Sequence, residues 1–311
     1  MRQLDSGSGI RADGRASRDL RLWLLAGFAA GLAATTLTAS AQQQADQADS
    51  VLRVCADPDN LPLSNRQGEG YENKIAEALA RDLGRRVEYT FFPQRMGFVR
   101  NTLRHKDETT KQFHCDVIIG VPKGYELTAT TRPYMRSTYA LLFNARKEFA
   151  NLRTADDLMK LPPDQLHSLR IGVFGKSPGT DWLLRHKLLD KAVMYAAQSG
   201  DPAENPAHVI EQDLGAGKID LAILWGPMAG FLVQRHAAPA WRAVPFMPDP
   251  AIRFDYQIAM GVRFGEKQWQ SVLDQWIADH QGTVDEILTS FRVPLLDANG
   301  KVINTVEERG P

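Results

Sequence analysis

The chain has few cysteines and no excess of charge of either sign, and both features exclude classes of function. Only two cysteines, Cys55 and Cys115, occur among its 311 residues, and none of the seven histidines stands in HxxxH or HExxH spacing. Because a metal site needs more ligands than two cysteines, we expect no metal and no bound cofactor. Lys and Arg together number 37, as do Asp and Glu, so the chain lacks the basic excess that is typical of nucleic-acid-binding proteins.

Long apolar runs are also scarce, and the one near the amino terminus has the pattern of a secretory signal. Residues 22–37 are mostly apolar, and the small residues Ala39–Ala41 follow them. Four arginines form the basic flank: Arg11, Arg15, Arg18 and Arg21. This order predicts a signal peptide over residues 1–41 with cleavage near Ala41, and then a disordered tail over residues 42–50. A membrane anchor is the alternative, but the segment is short for a span and a polar stretch follows it at once.

The chain that remains after this segment is nearly neutral. Residues 1–41 contain five Arg and three Asp, so 32 basic and 34 acidic residues remain. No later apolar run approaches the roughly 20 residues of a membrane-spanning helix. We therefore expect an exported protein that is not embedded in a membrane and does not bind nucleic acid.

Strand patterns alternate with helix patterns along the rest of the chain. The strand pattern "VLRVCA" leads into the turn formers "DPDNLPLSN", and a helix pattern then places Ile75, Leu79 and Leu83 four residues apart. A second series repeats this order through "LRIGVF", "GKIDLAIL" and "WGPMAGFLVQRH". Such alternation predicts an α/β protein with mostly parallel sheets that are buried on both faces.

The last strand and helices are too few for an independent domain, so we expect the chain to cross back and complete the first one. The prediction is two lobes joined by two hinge strands. Lobe 1 comprises residues 51–139 and 259–311, and lobe 2 comprises residues 140–258. Two lobes joined in this way form a cleft that opens and closes.

Seven blocks, in order over nearly all of the predicted mature chain, resemble one protein family. They are "RVCADPDNLPLSN", "GEGYENKIAEALARDLG", "PQRMGFVRNTL", "CDVIIGVPKGYE", "TTRPYMRSTYALLF", "GKIDLAILWGPMAGF" and "FDYQIAMGVR". The blocks resemble the solute-binding-like proteins associated with quinoprotein alcohol dehydrogenases, the MxaJ and XoxJ type, within the type II periplasmic binding protein class. Such an ordered set is more specific than any single glycine motif.

The resemblance implies a fold, a location and partners. It implies the two-lobed type II periplasmic binding fold, in which each lobe is a mixed, mostly parallel sheet flanked by helices. It also implies a periplasmic, non-catalytic protein that binds or matures an alcohol dehydrogenase of the XoxF/MxaF type, an enzyme that uses pyrroloquinoline quinone (PQQ) with calcium or a lanthanide. The cytochrome of that enzyme and a small ligand are further candidates for binding.

Binding proteins of this fold most often serve amino-acid uptake, which requires two charged groups in the cleft. The ligand's carboxylate needs a guanidinium and its ammonium needs an acid, because either charge buried alone costs several kcal/mol. Gly124 stands near the position of the arginine in amino-acid binders, and the nearest basic residues are Lys123 and Arg132. Trp225 stands where the acid follows a "GKID"-like turn. Both charged groups for a free amino acid are therefore missing from the sequence.

Trp225 itself has two interpretations. It ends the apolar run Leu221–Leu224 directly before Gly226. One interpretation is a core residue that closes lobe 2, since tryptophan is often largely buried. The other is an aromatic wall of the cleft, where an indole stacks on planar or apolar groups but does not neutralise a charge.

The glycine-rich turn "GKSPGTD" supplies polar candidates in lobe 2. Amide groups and hydroxyls at a helix start attract anions, because the helix dipole favours negative charge there. The equally good alternative is that Ser177 or Thr180 caps its own helix. The candidate residues of this turn are Gly175, Lys176, Ser177, Thr180 and Asp181.

Other cleft candidates follow strands, since ligands of open α/β sheets bind at the carboxyl ends of the strands. They are Asp57, Asn60, Leu61, Pro62, Gln94, Arg95, Val121, Pro122, Trp225 and Gly226. Local turn chemistry explains Asp57 and Asn60 equally well, and Glu72 and Asn73 are expected to shape the start of the first helix. Arg100, like Arg95, belongs either to a solvated face or to a contact with an acidic partner.

The two cysteines lie in segments whose pairing decides whether they form a disulfide, which an exported protein permits. If the strands are parallel neighbours, Cys55 lies near the end of one and Cys115 at the start of the other. An offset of about three residues amounts to roughly 10 Å along a strand. This distance exceeds the reach of a disulfide and favours free cysteines, although a shifted register would allow the bond.

Three functions are open to such a chain. The first is the accessory protein of a quinoprotein dehydrogenase, and the second is a transport binding protein for a small solute other than an α-amino acid. The third is an enzyme, since dehydratases have arisen on this fold. We do not expect an enzyme, because no paired carboxylates and no nucleophile with a base stand at a suitable spacing.

Overall fold

The computed structural model of the chain describes residues 50–197, 205–236 and 240–304. The predicted signal peptide, residues 1–41, and the predicted tail up to residue 49 lie outside the described residues. Within the described ranges, no helix is long and apolar enough to cross a membrane.

Strands alternate with helices through most of the chain, as predicted, although the strands Asp59–Asn60, Ser64–Asn65 and Trp241–Pro245 were not predicted. The strands are β1 Val51–Ala56, β2 Asp59–Asn60, β3 Ser64–Asn65, β4 Arg86–Phe91, β5 Val117–Pro122, β6 Ala129–Asn144, β7 Ile171–Phe174, β8 Ala192–Tyr195, β9 Leu221–Trp225, β10 Trp241–Pro245 and β11 Asp255–Val262.

The helices lie between these strands and after the last of them. They are α1 Tyr71–Asp82, α2 Phe98–Asn101, α3 Pro163–Ser168, α4 Pro178–Arg185, α5 Pro206–Gly215, α6 Gly226–Arg235, α7 Lys267–Asp279 and α8 Gln281–Ser290, with short 3-10 helices at Lys147–Phe149, Ala155–Lys160 and Leu189–Lys191.

One mixed sheet contains nine of the strands, in the order β4-β1-β5-β11-β6-β9-β7-β8, with β10 also paired to β6. Strands β1 and β5 are parallel, and β7 is parallel to both β8 and β9. The antiparallel pairs β6–β9, β6–β10, β6–β11 and β5–β11 all involve β6 or β11. The predicted α/β class with a mixed sheet is confirmed.

Strand β6 belongs to both parts of this sheet. Its first part, from Ala129 to Thr138, pairs with β11, and its second part, from Tyr139 to Asn144, pairs with β9 and β10. The predicted lobe boundaries, after residues 139 and 258, fall inside β6 and β11, and the division into lobes stays a prediction.

Apolar side chains pack into separate clusters in the two parts of the sheet. One large cluster contains residues such as Leu52, Val117 and Trp276 from the part with β1, β5 and β11. In the other part, Leu221 and Ile223 of β9 belong to one cluster, whereas the alternate residues Ala222 and Leu224 belong to another. Because successive residues of a strand point to opposite faces, β9 is covered on both, which explains its uninterrupted apolar run.

The two cysteines form a disulfide, and the preference for free cysteines is wrong. Cys55 lies opposite Ile118 in the parallel pair of β1 and β5, so the offset of three residues from Cys115 is real. However, Cys115 lies before β5, between bends at His114 and Asp116, rather than in an extended strand. The two Cα atoms lie 5.4 Å apart, within disulfide range.

We predict that this disulfide contributes substantially to stability. It closes a loop of 60 residues between two buried side chains, and loop closure of this size removes about 4 kcal/mol of unfolded-state entropy. A Cys55→Ala/Cys115→Ala variant should therefore unfold at lower urea concentration than the oxidised protein. Treatment with a reductant should destabilise the wild type and leave the double variant unchanged. Equal midpoints for oxidised and reduced wild type would contradict the prediction.

Candidate functional site

A cavity of about 290 Å³ lies where the two parts of the sheet meet around β6. This volume is at the lower end of the roughly 300–1,000 Å³ that small-molecule sites occupy. Its lining residues are Leu63, Tyr71, Glu72, Gln94, Gly120, Val121, Pro122, Met135, Tyr139, Trp225, Tyr256 and Ile258. We call this cavity the central pocket.

Four of the predicted cleft residues line the central pocket: Gln94, Val121, Pro122 and Trp225. Two others hold Gln94 in place. The Asn60 side chain donates to Gln94 Oε1 at 3.0 Å, and the Asp57 carboxylate accepts a hydrogen bond from the Gln94 amide. Asp57 also accepts from the Asp59 amide at 2.9 Å. Asp57 and Asn60 therefore shape the loop, as the turn interpretation predicted, and through Gln94 they also shape the pocket.

The remaining candidates of the first lobe and Gly226 do not line the pocket. Leu63 lies there instead of Leu61 or Pro62. Arg95 is half-buried, and Arg100 is exposed on α2. Gly226 is needed for packing, because a Cβ at this position would overlap the Thr138 carbonyl oxygen.

The residues of the Gly175 turn also lie outside the lining of the central pocket. The amides of Gly175, Ser177 and Thr180 donate to the carbonyl oxygens of Tyr195, Phe174 and Ser177, respectively. The Thr180 hydroxyl donates to the Phe174 carbonyl at 3.1 Å, and the Ser177 side chain, although at the N-cap position, forms no capping hydrogen bond. Lys176 and Asp181 are exposed. Three of the amides that an anion site would use therefore already donate hydrogen bonds to backbone carbonyl oxygens.

Three aromatic rings form one wall of the central pocket, and we call them the aromatic trio: Tyr139, Trp225 and Tyr256. Tyr139 and Trp225 are paired across β6 and β9, with ring centroids 5.6 Å apart. Tyr256 of β11 lies 5.9 Å from Trp225 and 6.4 Å from Tyr139. The interplanar angles between the rings are 57° to 76°. The rings are therefore steeply inclined to one another and do not stack in parallel. Trp225 is half-buried at this site and also packs against the core of the first part of the sheet.

Glu72 is the one acidic residue among the described residues that line the pocket. Glu72 lies in the first turn of α1, as expected. Asn73 makes the hydrogen bonds at the helix start, because its Oδ1 accepts from the amides of Asn65 and Gly70 at 3.0 and 3.1 Å. Glu72 is 6% exposed, and its carboxylate forms no hydrogen bond or ion pair with another described residue. Burial raises the pKa of the Glu72 carboxyl to about 8, and the negative charge of Asp57 acts in the same direction.

The Glu72 carboxylate lies against Gly120, which has no side chain to displace it. A Cβ at Gly120 would overlap Glu72 Oε1, and the Tyr134 hydroxyl lies 3.5 Å from the same Cβ position. Tyr134 is 1% exposed, and its hydroxyl is buried without a hydrogen-bond partner among the described residues. Two buried polar groups without protein partners therefore lie close together at this end of the pocket.

The described lining of the pocket lacks a cation for the carboxylate of a free amino acid. None of the pocket's described lining residues is Lys or Arg. Lys123 donates to the carbonyl oxygens of Thr130 and Thr131 at 3.3 and 2.7 Å, and Arg132 is exposed. Trp225 lies at the position expected for the ammonium-binding acid. No group of three or more His, Cys, Asp or Glu suited to a metal ion occurs within the described part of the chain.

Comparisons with known proteins place the chain in a class. No family model matches it. The ancestral cationic amino acid solute binding protein AncCDT-1 is 21% identical with a TM-score of 0.57, over 78% of this chain and 95% of that one. The periplasmic binding protein XoxJ from Methylobacterium extorquens AM1 is 33% identical with a TM-score of 0.63, over 79% of this chain and 99% of that one. The chain therefore has the fold of the type II periplasmic binding proteins.

Two curated sequences support the likeness to XoxJ. Protein MoxJ of Paracoccus denitrificans is 25% identical over 277 residues, which cover 86% of this chain and 97% of that protein. MoxJ of Methylorubrum extorquens is 27% identical over 278 residues, which cover 84% and 87%. The chain belongs to the MxaJ/XoxJ family of periplasmic binding proteins. Membership in this family assigns it to the periplasm.

Several lining residues were not predicted from sequence: Leu63, Tyr71, Glu72, Gly120, Met135, Tyr139, Tyr256 and Ile258. For Tyr139, Tyr256 and Ile258 a signal was available, because the predicted hinge crossings after residues 139 and 258 place these residues beside the cleft. For Glu72 the position in the first helical turn favoured a capping role, and the burial of its side chain is visible only in the fold.

We predict that Glu72 makes stability depend on pH. Its folded-state pKa of about 8 lies above the ordinary value of 4.5, so the folded state holds the proton more tightly than the unfolded state. The bound proton contributes fully to the free energy of unfolding at pH values below the ordinary pKa. This contribution is lost as the pH rises through about 8, and the loss is at most roughly 5 kcal/mol. Glu72→Gln should therefore gain stability relative to wild type as pH rises, measured by urea unfolding at pH 5 and pH 8.

A matched control for this variant is Glu77→Gln, which removes the same charge from an exposed position of α1, where Glu77 pairs with Lys74 at 3.2 Å. The stability of this control relative to wild type should change little between the two pH values. If Glu72→Gln showed the same stability difference from wild type at pH 5 and pH 8, Glu72 would not be a buried, protonated carboxyl.

Proposed function

We propose that this chain is a non-catalytic accessory protein that binds a PQQ-dependent methanol or alcohol dehydrogenase of the XoxF/MxaF type and supports its maturation or activation. The cytochrome of that enzyme is a further proposed partner. The resemblance of seven ordered sequence blocks and the likeness to proteins named MoxJ and XoxJ support this proposal. We also propose export by a signal peptide that is cleaved near Ala41.

The central pocket carries the argument against amino-acid uptake. An amino acid held in a cleft needs a cation for its carboxylate, because a buried charge without a partner costs several kcal/mol. The described lining offers no Lys or Arg and has an indole at the position of the ammonium partner. A protein of this fold whose pocket has no cation for the carboxylate in its described lining is better suited to a role other than carrying amino acids.

The pocket residues also argue against catalysis. General acid–base chemistry requires an acid and a base, or a nucleophile and a base, within hydrogen-bond reach of one reacting group. Glu72 has no second carboxylate, histidine or lysine beside it in the described lining of the pocket. The proposal therefore assigns no reaction to this chain.

A transport role is the second candidate, and the central pocket is the observation that favours it. A cavity of about 290 Å³ with aromatic walls and one carboxylate has the size and lining of a site for a small solute. Under this alternative the chain delivers a solute other than an α-amino acid to a membrane permease.

Co-elution with the cognate dehydrogenase tests the proposed function. We expect the mature chain to elute with the dehydrogenase in size-exclusion chromatography of a periplasmic extract from cells grown on an alcohol. Amino acids should not raise its unfolding temperature. Separate elution of the two proteins, together with stabilisation by a metabolite, would overturn the accessory role and favour transport.

Arg100 is the proposed contact for an acidic partner, because it is exposed on α2, which follows the predicted cleft residues Gln94 and Arg95 in the chain. Within the same co-elution experiment, Arg100→Glu should weaken the complex, since like charges across an interface repel. Lys267→Glu, an equal change of charge at an exposed residue of α7, is the matched control and should retain the complex. Equal retention of both variants would remove Arg100 from the interface.

A further inference from the structure

Glu72 is a buried acid whose local surroundings do not explain its presence. Its side chain is 6% exposed, it lines the central pocket, and it forms no hydrogen bond or ion pair with another described residue. Leaving a carboxyl group buried in this way is unfavourable unless it has a partner at some stage. A ligand bound in the central pocket would be such a partner.

The other polar groups near Glu72 suit a hydrogen-bond donor that also carries positive charge. The Tyr134 hydroxyl is 3.5 Å from the Cβ position of Gly120, beside the Glu72 carboxylate, and it is buried without a partner in the described structure. A phenol oxygen can accept a hydrogen bond as well as donate one. Asp57, which acts on Glu72 through its charge, makes this end of the pocket more negative.

The aromatic trio forms a wall that also favours a cation. The faces of tyrosine and tryptophan rings attract cations within about 6 Å, and sets of such rings at steep angles bind organic ammonium groups. Tyr139, Trp225 and Tyr256 lie within 6.4 Å of one another at interplanar angles of 57° or more. None of the described lining residues is Lys or Arg. The Arg253 guanidinium lies 4.6 Å from the centroid of the Tyr256 ring, so one ring of the trio already contacts a cation.

A metal ion does not fit this combination, because hard cations take six or more oxygen ligands and no suitable cluster of acids occurs in the described residues. An anion would meet Glu72 without a compensating basic residue. A neutral alcohol could form hydrogen bonds, but it would not use the cation-binding property of the rings.

From this combination we propose that the central pocket binds an organic ammonium group, which contacts the Glu72 carboxylate on one side and the aromatic trio on the other. The group belongs either to a free small amine or to a lysine side chain of a bound polypeptide. The inference concerns the pocket itself and does not depend on the proposed dehydrogenase partner.

Binding of the ammonium group is coupled to a proton. Glu72 is protonated in the empty pocket near neutral pH, so the incoming cation displaces its proton to solvent and leaves a carboxylate–ammonium pair. Below the pKa of the carboxyl, affinity then rises about tenfold for each pH unit. The other titratable groups that face Glu72 are Asp57, Tyr71, Tyr89 and Tyr134. Burial raises the pKa of each of the three tyrosines, so they stay protonated at neutral pH.

Calorimetric titration of the purified mature chain with n-butylammonium tests the site, with n-butanol as the neutral and butyrate as the anionic analogue. We expect n-butylammonium alone to bind, with millimolar or tighter affinity, release of one proton near pH 6.5 and stronger binding at pH 8. Equal binding of n-butanol, or no binding of the amine, would overturn the proposal.

Two variants of α1 separate the role of Glu72 from a change of overall charge. Glu72→Gln keeps the shape and removes the charge, and it should weaken n-butylammonium binding about tenfold or more and abolish proton release. Glu77→Gln makes the same change on the exposed face of the helix and should bind as wild type does. Unfolding curves show whether Glu72→Gln is folded. A folded Glu72→Gln that bound with wild-type affinity would contradict the assignment.

A further variant and two peptides test the aromatic contact and the source of the ammonium group. Trp225→Leu should weaken amine binding by about three- to tenfold, the range of one cation–π contact. A lysine-containing peptide that binds more tightly than n-butylammonium, and loses binding when the lysine is acetylated, assigns the group to a polypeptide. The reverse order assigns it to a free amine. Absent amine binding with intact co-elution of the dehydrogenase would overturn this inference and leave the proposed function standing.

Discussion

The pairing of β6 with strands on both of its sides is the constraint on which the central pocket depends. Residues Ala129 to Thr138 pair with β11, whereas residues from Tyr139 onward pair with β9 and β10. This arrangement places Tyr139 opposite Trp225 and brings Tyr256 beside both. A slip of one residue in any of these pairs would turn the ring to the opposite face of the sheet. The register of two strand pairs therefore positions the aromatic wall, and tight packing at Gly226 fixes the start of the helix that follows Trp225.

The carboxyl group of Glu72 supplies the polar counterpart to that wall. Helix α1 buries it against Gly120, a position where any side chain would overlap Glu72 Oε1. Two neighbouring residues have structural roles at this end of the pocket. Asn73 accepts hydrogen bonds from two amides at the helix start, and Asp57 accepts one from the amide of Gln94 in the adjacent loop. The Glu72 carboxylate and the Tyr134 hydroxyl remain without a hydrogen-bond partner in the described structure. A buried acid in this position lowers stability at high pH, which is a cost that proteins often accept at functional sites.

The sequence predicted the α/β class and the alternation of strands with helices. These features follow from local patterns. The wrong expectation at Cys115 and the missed pocket residue Glu72 have one physical cause. In each case the direction of one side chain depends on tertiary packing: the segment before β5 places Cys115 next to Cys55, and the contact of α1 with Gly120 turns Glu72 inward. Strand and helix patterns determine neither direction, and the same holds for the pocket residues on β6 and β11.

The central claim is that the chain acts on a quinoprotein dehydrogenase rather than carrying a nutrient. The most direct measurement compares strains with and without the gene for this chain, grown in the presence of an alcohol. The quantity to measure is PQQ-dependent dehydrogenase activity per amount of dehydrogenase polypeptide in the periplasm. The account predicts that this specific activity falls when the gene is deleted and returns when it is restored. Unchanged specific activity, together with lost uptake of a small solute, would contradict it.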